Sequence, residues 1–297
     1  MVNSRRVARE LALKVIFQVD VGKQPLDEVL EGAFDQIRQT VDQPVGQVIH
    51  DAQVALRELA AKRTEDLSPE SAKQIRGITT NSLTQLRILS EKATQRSRSL
   101  MTAPSAAAAE TAIELLTSDS ESTGTELRKL AARDSYQSKI LAEITDAANT
   151  KAQQVVAVFG KHIRAASLTS EFLQMLVHGV TERRDEIDAR IAALSAGWAL
   201  DRQAAVDRNI MRLAAFEILY VPDIPMGASI NEAVELAKKY STAESGRFVN
   251  GVLGALAVQP EGQDGTEHST DEPDSGEHET VTLLEELLIE SNDQTSA

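Results

Sequence analysis

Arg5, Arg6 and Arg9 stand close together in the opening stretch RRVARELALKVIFQVD. Guanidinium groups within two helical turns can grip phosphates, because nucleic acid is held chiefly through its backbone charge. On charge alone a solvated helix face is the commoner outcome. The apolar residues of the same stretch add a second signal. At about 100° per residue, Val7, Ala8, Leu11, Ala12, Val15, Ile16 and Val19 gather on one stripe. Leu13 and Phe17 fall on the other side, among Arg6, Arg9 and Glu10. Two large apolar side chains one turn apart beside arginines form the nucleus of a protein interface, whose centres enrich aromatics and arginine. Packing beneath other helices is the alternative that the angles leave open.

Other chemistry is not signalled. With no cysteine there is no disulfide framework, thiolate metal site or cysteine nucleophile. The five histidines share no ligand spacing, and His178 within an apolar run reads as a core residue. No phosphate-cradling glycine loop or nucleophile elbow occurs. Gly251 and Gly254 in NGVLGALA are spaced for close helix approach. The expectation is a protein without catalytic residues, metal or cofactor.

The net charge of −14 is unevenly spread. Residues 1–50 carry 6 Lys+Arg against 7 Asp+Glu, residues 51–155 carry 14 against 14, and residues 156–257 carry 11 against 12. The last 40 residues carry none against 12, so the acidity belongs to the tail and says little about whether the body binds nucleic acid. No window approaches 18 consecutive apolar residues, and the first residues lack a signal-peptide pattern. A soluble cytoplasmic protein with no membrane contact is expected.

The elements that must hold the arginines read as helices throughout. Ser4 is placed to cap the first helix, Gly22 to stop it, and Pro25 to block its continuation. LDEVLEGAFDQI forms the second helix, predicted to end before VDQPVG. Residues from about 45 to 165 differ in texture. Tyr136 apart, no aromatic lies between Phe34 and Phe159 and apolar stripes are thin. This reads as long, loosely packed helices in a hairpin or coiled coil, although no sustained heptads are visible. AAAAETAIELLTSDSESTGT reads as a weak helix followed by a linker. A capped start at Thr169 or Ser170 opens the next helix. Asp201 precedes the apolar central run DRQAAVDRNIMRLAAFEILYV. Ser229 with Glu232 and Ser241 with Glu244 have capping-box spacing. Beyond Ala257 the chain is too polar and acidic to fold alone, and VTLLEELLIE within it has the pattern of a short helix. The fold class is all-α, with a core domain split by an inserted segment.

Three stretches, DRNIMRLAAFEILY, INEAVELAKKY and FVNGVLGALA, resemble in their order the C-terminal half of the NusB family of bacterial transcription antitermination factors. RRVARELALKVIF is similar to that family's arginine-rich first helix. The resemblance divides the chain into residues 1–44 and 165–258 of a NusB-like domain, an inserted helical segment at 45–164, and an acidic tail at 259–297. It implies a double three-helix bundle that binds no small cofactor. It further implies a pairing with NusE, a small-subunit ribosomal protein, and binding of boxA RNA in ribosomal transcripts. That complex would help RNA polymerase read through terminators. Carried over by position, the RNA-contacting start falls on Arg5, Arg6 and Arg9. The NusE contacts fall on Phe17 with Leu13 beside it, Asp207, Glu244 and Arg247. Two rival readings differ in class. An RNA cytosine methyltransferase would need the cysteine and the cofactor-binding α/β domain that this sequence lacks. A helical scaffold would use the inserted segment as its working part.

Overall fold

The computed structural model describes residues 4–65, 67–132, 138–195 and 202–258. Among these there are nine helices and no strand, as the all-α reading expects. They are α1 (Ser4–Asp20), α2 (Leu26–Thr64), α3 (Pro69–Thr102), α4 (Ala106–Ala131), α5 (Ser138–Glu182), α6 (Arg184–Leu194), α7 (Ala205–Tyr220), α8 (Met226–Tyr240) and α9 (Ala243–Val258). Asp201 and the acidic tail with VTLLEELLIE lie outside the described residues. Gly22 follows the end of α1, where a Cβ would meet the Gln18 carbonyl oxygen at 2.7 Å. Pro25 stands at the N-cap of α2.

Long helices are as expected for the inserted segment, and the departure is that α2 and α5 run unbroken across its expected ends. α2 has 39 residues and α5 has 45, so they run for ~58 Å and ~67 Å. α2 does not end before VDQPVG, and Pro44 lies inside it. Proline removes one backbone hydrogen bond there, but Val41 and Val45 on either side are both buried and keep the helix seated. The expected joints at 44/45 and 164/165 therefore fall within continuous helices. α3 and α4 pack with α2 and α5 into a four-helix rod. Ion pairs between helices mark its antiparallel order: Arg63 of α2 with Glu143 of α5 at 2.6 Å, and Arg164 of α5 with Glu110 of α4 at 2.6 Å.

The rod has the heptad seam that the apolar pattern hides. On α3, Ala72, Ile75, Thr79, Ser82, Leu86, Leu89 and Ala93 are buried at alternating steps of three and four. On α5, Leu141, Thr145, Ala148, Ala152, Val155 and Phe159 follow the same rhythm. This is coiled-coil spacing with about half the seats taken by Ala, Ser and Thr. Small seats draw helices close and leave little apolar contrast to read. The expected linker in TSDSESTGT is likewise part of α4, with Ser120 and Thr123 buried in the seam. Its exposed hydroxyls are satisfied locally: Thr125 donates to the Glu121 carbonyl at 3.0 Å.

Three predicted caps are also corrected. Thr169 and Ser170 lie within α5, where Thr169 donates to the Ala165 carbonyl at 2.7 Å. Ser229 lies inside α8, which begins after Pro225. At α9, the backbone N–H of Ser245 donates to the Thr242 hydroxyl at 3.1 Å, while Ser241 ends α8. Apolar contacts run without a break from Ala8 on α1 through the rod to Leu256 on α9. α1 packs on α2, α5 and α7, and α8 lies against α7 and α9.

Candidate nucleic-acid and partner interface

α1 is buried along two sides. Its apolar stripe accounts for Ala8, Leu11, Ala12, Val15 and Ile16. Arg9, Leu13 and Asp20 form a second buried stripe, spaced by four and seven residues. Leu13 is therefore not on an exposed face; it is 4% exposed. Its burial follows from the charged residues on either side of it, both of which are bound by α7.

Arg9 makes the first of these links. Its guanidinium forks the Glu217 carboxylate, Nε donating to Oε1 at 2.7 Å and Nη2 to Oε2 at 2.9 Å. Ser229 of α8 donates its hydroxyl to Glu217 Oε2 at 2.6 Å. The expectation of Arg9 as an open phosphate contact is corrected accordingly, because its side chain is 7% exposed and two of its nitrogens are engaged by Glu217. Asp20 makes the second link. It accepts from Arg212 at 2.9 Å and Arg208 at 3.1 Å, both on α7, and from Arg184 of α6. Burial raises the carboxyl pKa of Asp20, but the three guanidiniums outweigh it and hold the group well below the usual carboxylate range. Arg212 also forks Asp188, at 2.6 Å through Nε and 2.6 Å through Nη2.

Arg5 and Arg6, by contrast, are exposed at the start of α1. Phe172 of α5 has the guanidiniums of Arg5 and Arg9 over its ring, 5.6 Å and 5.4 Å from the centroid. Arg6 lies 3.6 Å from Glu232 of α8, with its side chain 58% exposed. Glu10 binds Lys239 at 2.8 Å, the Tyr240 hydroxyl and Lys14. These partners, Lys239 first, pull its pKa down to about 2. Arg5, Arg6 and Lys14 of α1 and Lys238 and Lys239 of α8 are the exposed cations around these contacts.

The other predicted site residues lie on α1, α7 and α9. Phe17 is half-buried one turn before Asp20. Asp20 binds Arg208, and the preceding residue, Asp207, is 7% exposed. Asp207 Oδ2 accepts from the Ser245 hydroxyl at 2.7 Å, and Oδ1 has no hydrogen-bond partner among the described residues. Glu244 and Arg247 are exposed on either side of Ser245. Asp20 thus ties the end of α1 to Arg208 of α7, and Asp207 ties the start of α7 to Ser245 of α9. Leu13 is not exposed.

Sequence reasoning did not find Phe172, Glu217, Ser229 or the Asp20 cluster. Arg208 and Arg212, one turn apart in the central helix, were the available signal for a buried acid.

The description "NusB family" matches residues 125–258. The transcription antitermination protein NusB of Trichlorobacter lovleyi is 47% identical over 106 residues, covering 36% of this chain and 75% of that protein. The transcription antitermination protein NusB of Bacillus subtilis is 40% identical over 126 residues, covering 42% and 91%. The chain belongs to the NusB family. A solved T. maritima NusB chain is 42% identical over 30% of this chain and 63% of that one, at a TM-score of 0.29. The family match begins inside α4, takes in α5 to α9, and leaves α1 before it. In this NusB-family chain, no described helix is long and apolar enough to cross a membrane. No group of three or more His, Cys, Asp and Glu among the described residues could hold a metal.

Proposed function

We propose that this protein is a cytoplasmic, RNA-binding transcription antitermination factor, acting with NusE on boxA sequences of ribosomal transcripts within the RNA polymerase antitermination complex. It works by binding, without catalysis or a small cofactor. Residues 1–44 and 165–258 form the NusB-like domain, residues 45–164 are an insertion, and 259–297 are an acidic tail.

The observation that carries this reading is the exposed pair Arg5 and Arg6 on a helix fixed to α5, α7 and α8. Their guanidiniums contact phosphates, since such contacts position RNA and supply most of the affinity. Arg9 is a positioning residue, acting through Glu217 and Phe172. Phe17 with Asp207, Glu244 and Arg247 forms the NusE side, and Leu13 supports it from beneath.

Fluorescence anisotropy with labelled boxA RNA, with and without NusE, tests the reading. Arg5→Ala with Arg6→Ala should weaken binding and flatten the dependence of log K on log salt by about 0.7 per lost single-strand contact. An unchanged slope and affinity would return these arginines to a solvated face.

A further inference from the structure

A second basic surface lies on the rod, outside the helices that carry the proposed boxA and NusE contacts. A groove with a volume of about 610 Å³ runs between α2 and α3, lined by Arg57, Arg76 and Arg87 together with Thr80, Thr84 and Leu83. Arg87 is shared with a neighbouring hollow that continues the groove to Arg98. On α3, Arg76, Arg87 and Arg98 recur every 11 residues. Eleven residues make just over three turns, so the three guanidiniums stand in a nearly straight row, ~16 Å apart. All four arginines are exposed.

Little among the described residues neutralises them. Arg57 and Arg76 form no ion pair among the described residues, and Arg87 meets only Glu91, at 3.4 Å with both side chains about two-thirds exposed. A pair so exposed is weak. Residues 51–155 are balanced in charge overall, so the row is a local concentration of one sign.

We infer that this α2–α3 groove is a second RNA-binding surface, which holds the phosphate backbone of transcript flanking the element bound at α1. The inference extends the proposed RNA role and rests on it for the identity of the ligand. Three features point to a polyanion. Arginines spaced along a groove do not converge on one point, as the site of a small anion requires, and they match a ligand charged along its length. None of the side chains lining the groove is aromatic and its apolar ones are chiefly Ala60, Ala61 and Leu83, whereas protein interfaces centre on aromatic anchors. Strongly positive surfaces are what nucleic-acid interfaces have.

The test uses the full-length chain and a variant carrying Arg57→Gln, Arg76→Gln and Arg87→Gln, compared at several salt concentrations. One probe is a short RNA containing boxA alone, and the other is the same element with about 30 flanking nucleotides. The variant should bind the short RNA like the parent. It should bind the long RNA about tenfold or more weakly at 0.15 M salt, with the salt slope reduced by about 2. Circular dichroism melting should match the parent, since all three residues are exposed. Equal binding of the long RNA by parent and variant would overturn the inference. So would a variant that keeps the long RNA but loses an oligoglutamate peptide, which would assign the groove to an acidic protein. The boxA reading fails separately: if the parent prefers no boxA sequence while the variant still loses the long RNA, the groove stands and that reading falls.

Discussion

The Arg9–Glu217 pair allows a quantitative test of what α1 does. In Arg9→Ala, Glu217 keeps the Ser229 hydroxyl but loses a two-point guanidinium partner, in a place where its own side chain is 1% exposed. Breaking a buried pair from one side costs about 3–5 kcal/mol, because the remaining charge is stranded in low dielectric. Loss of the Arg9 contact with Phe172 adds about 0.5 kcal/mol or more. A total near ~4 kcal/mol is a large share of a typical stability of about 5–15 kcal/mol. At roughly 2–4 °C per kcal/mol for a domain of this size, Tm should fall by about 10 °C. Urea denaturation of parent, Arg9→Ala and Arg6→Ala, followed by circular dichroism, measures it. Arg6→Ala should stay within about 0.5 kcal/mol of the parent. Arg9→Met combined with Glu217→Leu should recover most of the loss, because removing both charges strands neither. An Arg9→Ala protein within about 1 kcal/mol of the parent, with an unchanged m-value, would refute the claim that the pair anchors α1. Arg9 would then be open to a phosphate contact.

Phe17→Ala should cost only about 1–2 kcal/mol of stability, since the ring is half-buried, and about 2 kcal/mol or more of NusE binding by titration calorimetry. Leu13→Ala should do the reverse, costing about 2–5 kcal/mol of stability, and a stable Leu13→Ala protein would contradict its burial. Glu10 has a folded pKa of about 2 against about 4.5 unfolded, so its stabilisation is present above about pH 4.5 and is lost as pH falls toward 2. Because Lys239 is 56% exposed, that effect is on the order of 1 kcal/mol. Acid titration of stability should be shallower in Glu10→Gln over that range, and equal slopes would remove the assigned cause. Gly179→Ala places a Cβ within 2.0 Å of the Phe216 ring, so the ring or the packing of α5 on α7 must shift. Overpacking of that kind costs about 1–3 kcal/mol by denaturant melting, and a neutral substitution would mean the ring has room to turn.

The helical class was legible because no stretch alternates as a strand does, and because α7, α8 and α9 carry dense apolar stripes between proline and glycine stops. The rod was harder to read. Apolar periodicity detects contrast between large apolar and polar residues, and Thr79, Ser82, Ala93, Thr145 and Ala148 occupy buried seats with little of it. Their heptad steps become visible only once burial is known. The hydroxyl residues of α4 read as a linker for the same reason. Ser, Thr and Gly favour loops when their groups compete with the backbone, but in α4 the threonines bond back to the carbonyl four residues earlier and leave the helix intact.

The site was legible in part, and the error is informative about α1. A helical wheel sorts residues by polarity, which places Arg9 and Asp20 on the solvent side and takes Leu13 with them. Burial here follows partners instead. Glu217 on α7 takes Arg9, Arg212 on the same helix takes Asp20, and Leu13 is enclosed between the two links. Asp20 also accepts from Arg208 and Arg184, so the end of α1 is held by three donors on two helices. A helix fixed at both ends by forked or multiple ion pairs has little freedom to slide or roll on its neighbours. Arg5 and Arg6 extend from its first turn, one turn before Arg9, and Arg5 shares the Phe172 ring with Arg9. Backbone order is therefore already in place before RNA arrives, and only the outer side-chain torsions remain to be fixed, at about 0.5–1.5 kcal/mol per long side chain. On the proposed RNA role of Arg5 and Arg6, the buried arginine contributes to binding by holding the exposed ones in position. That predicts a specific asymmetry. Arg9→Lys keeps the charge but loses the fork, so it should weaken boxA binding by loosening α1 while leaving the salt slope unchanged, whereas Arg6→Ala should reduce the slope and leave the fold intact. Anisotropy titrations across salt concentrations separate the two, and a slope that falls equally in both variants would mean that Arg9 reaches the RNA itself.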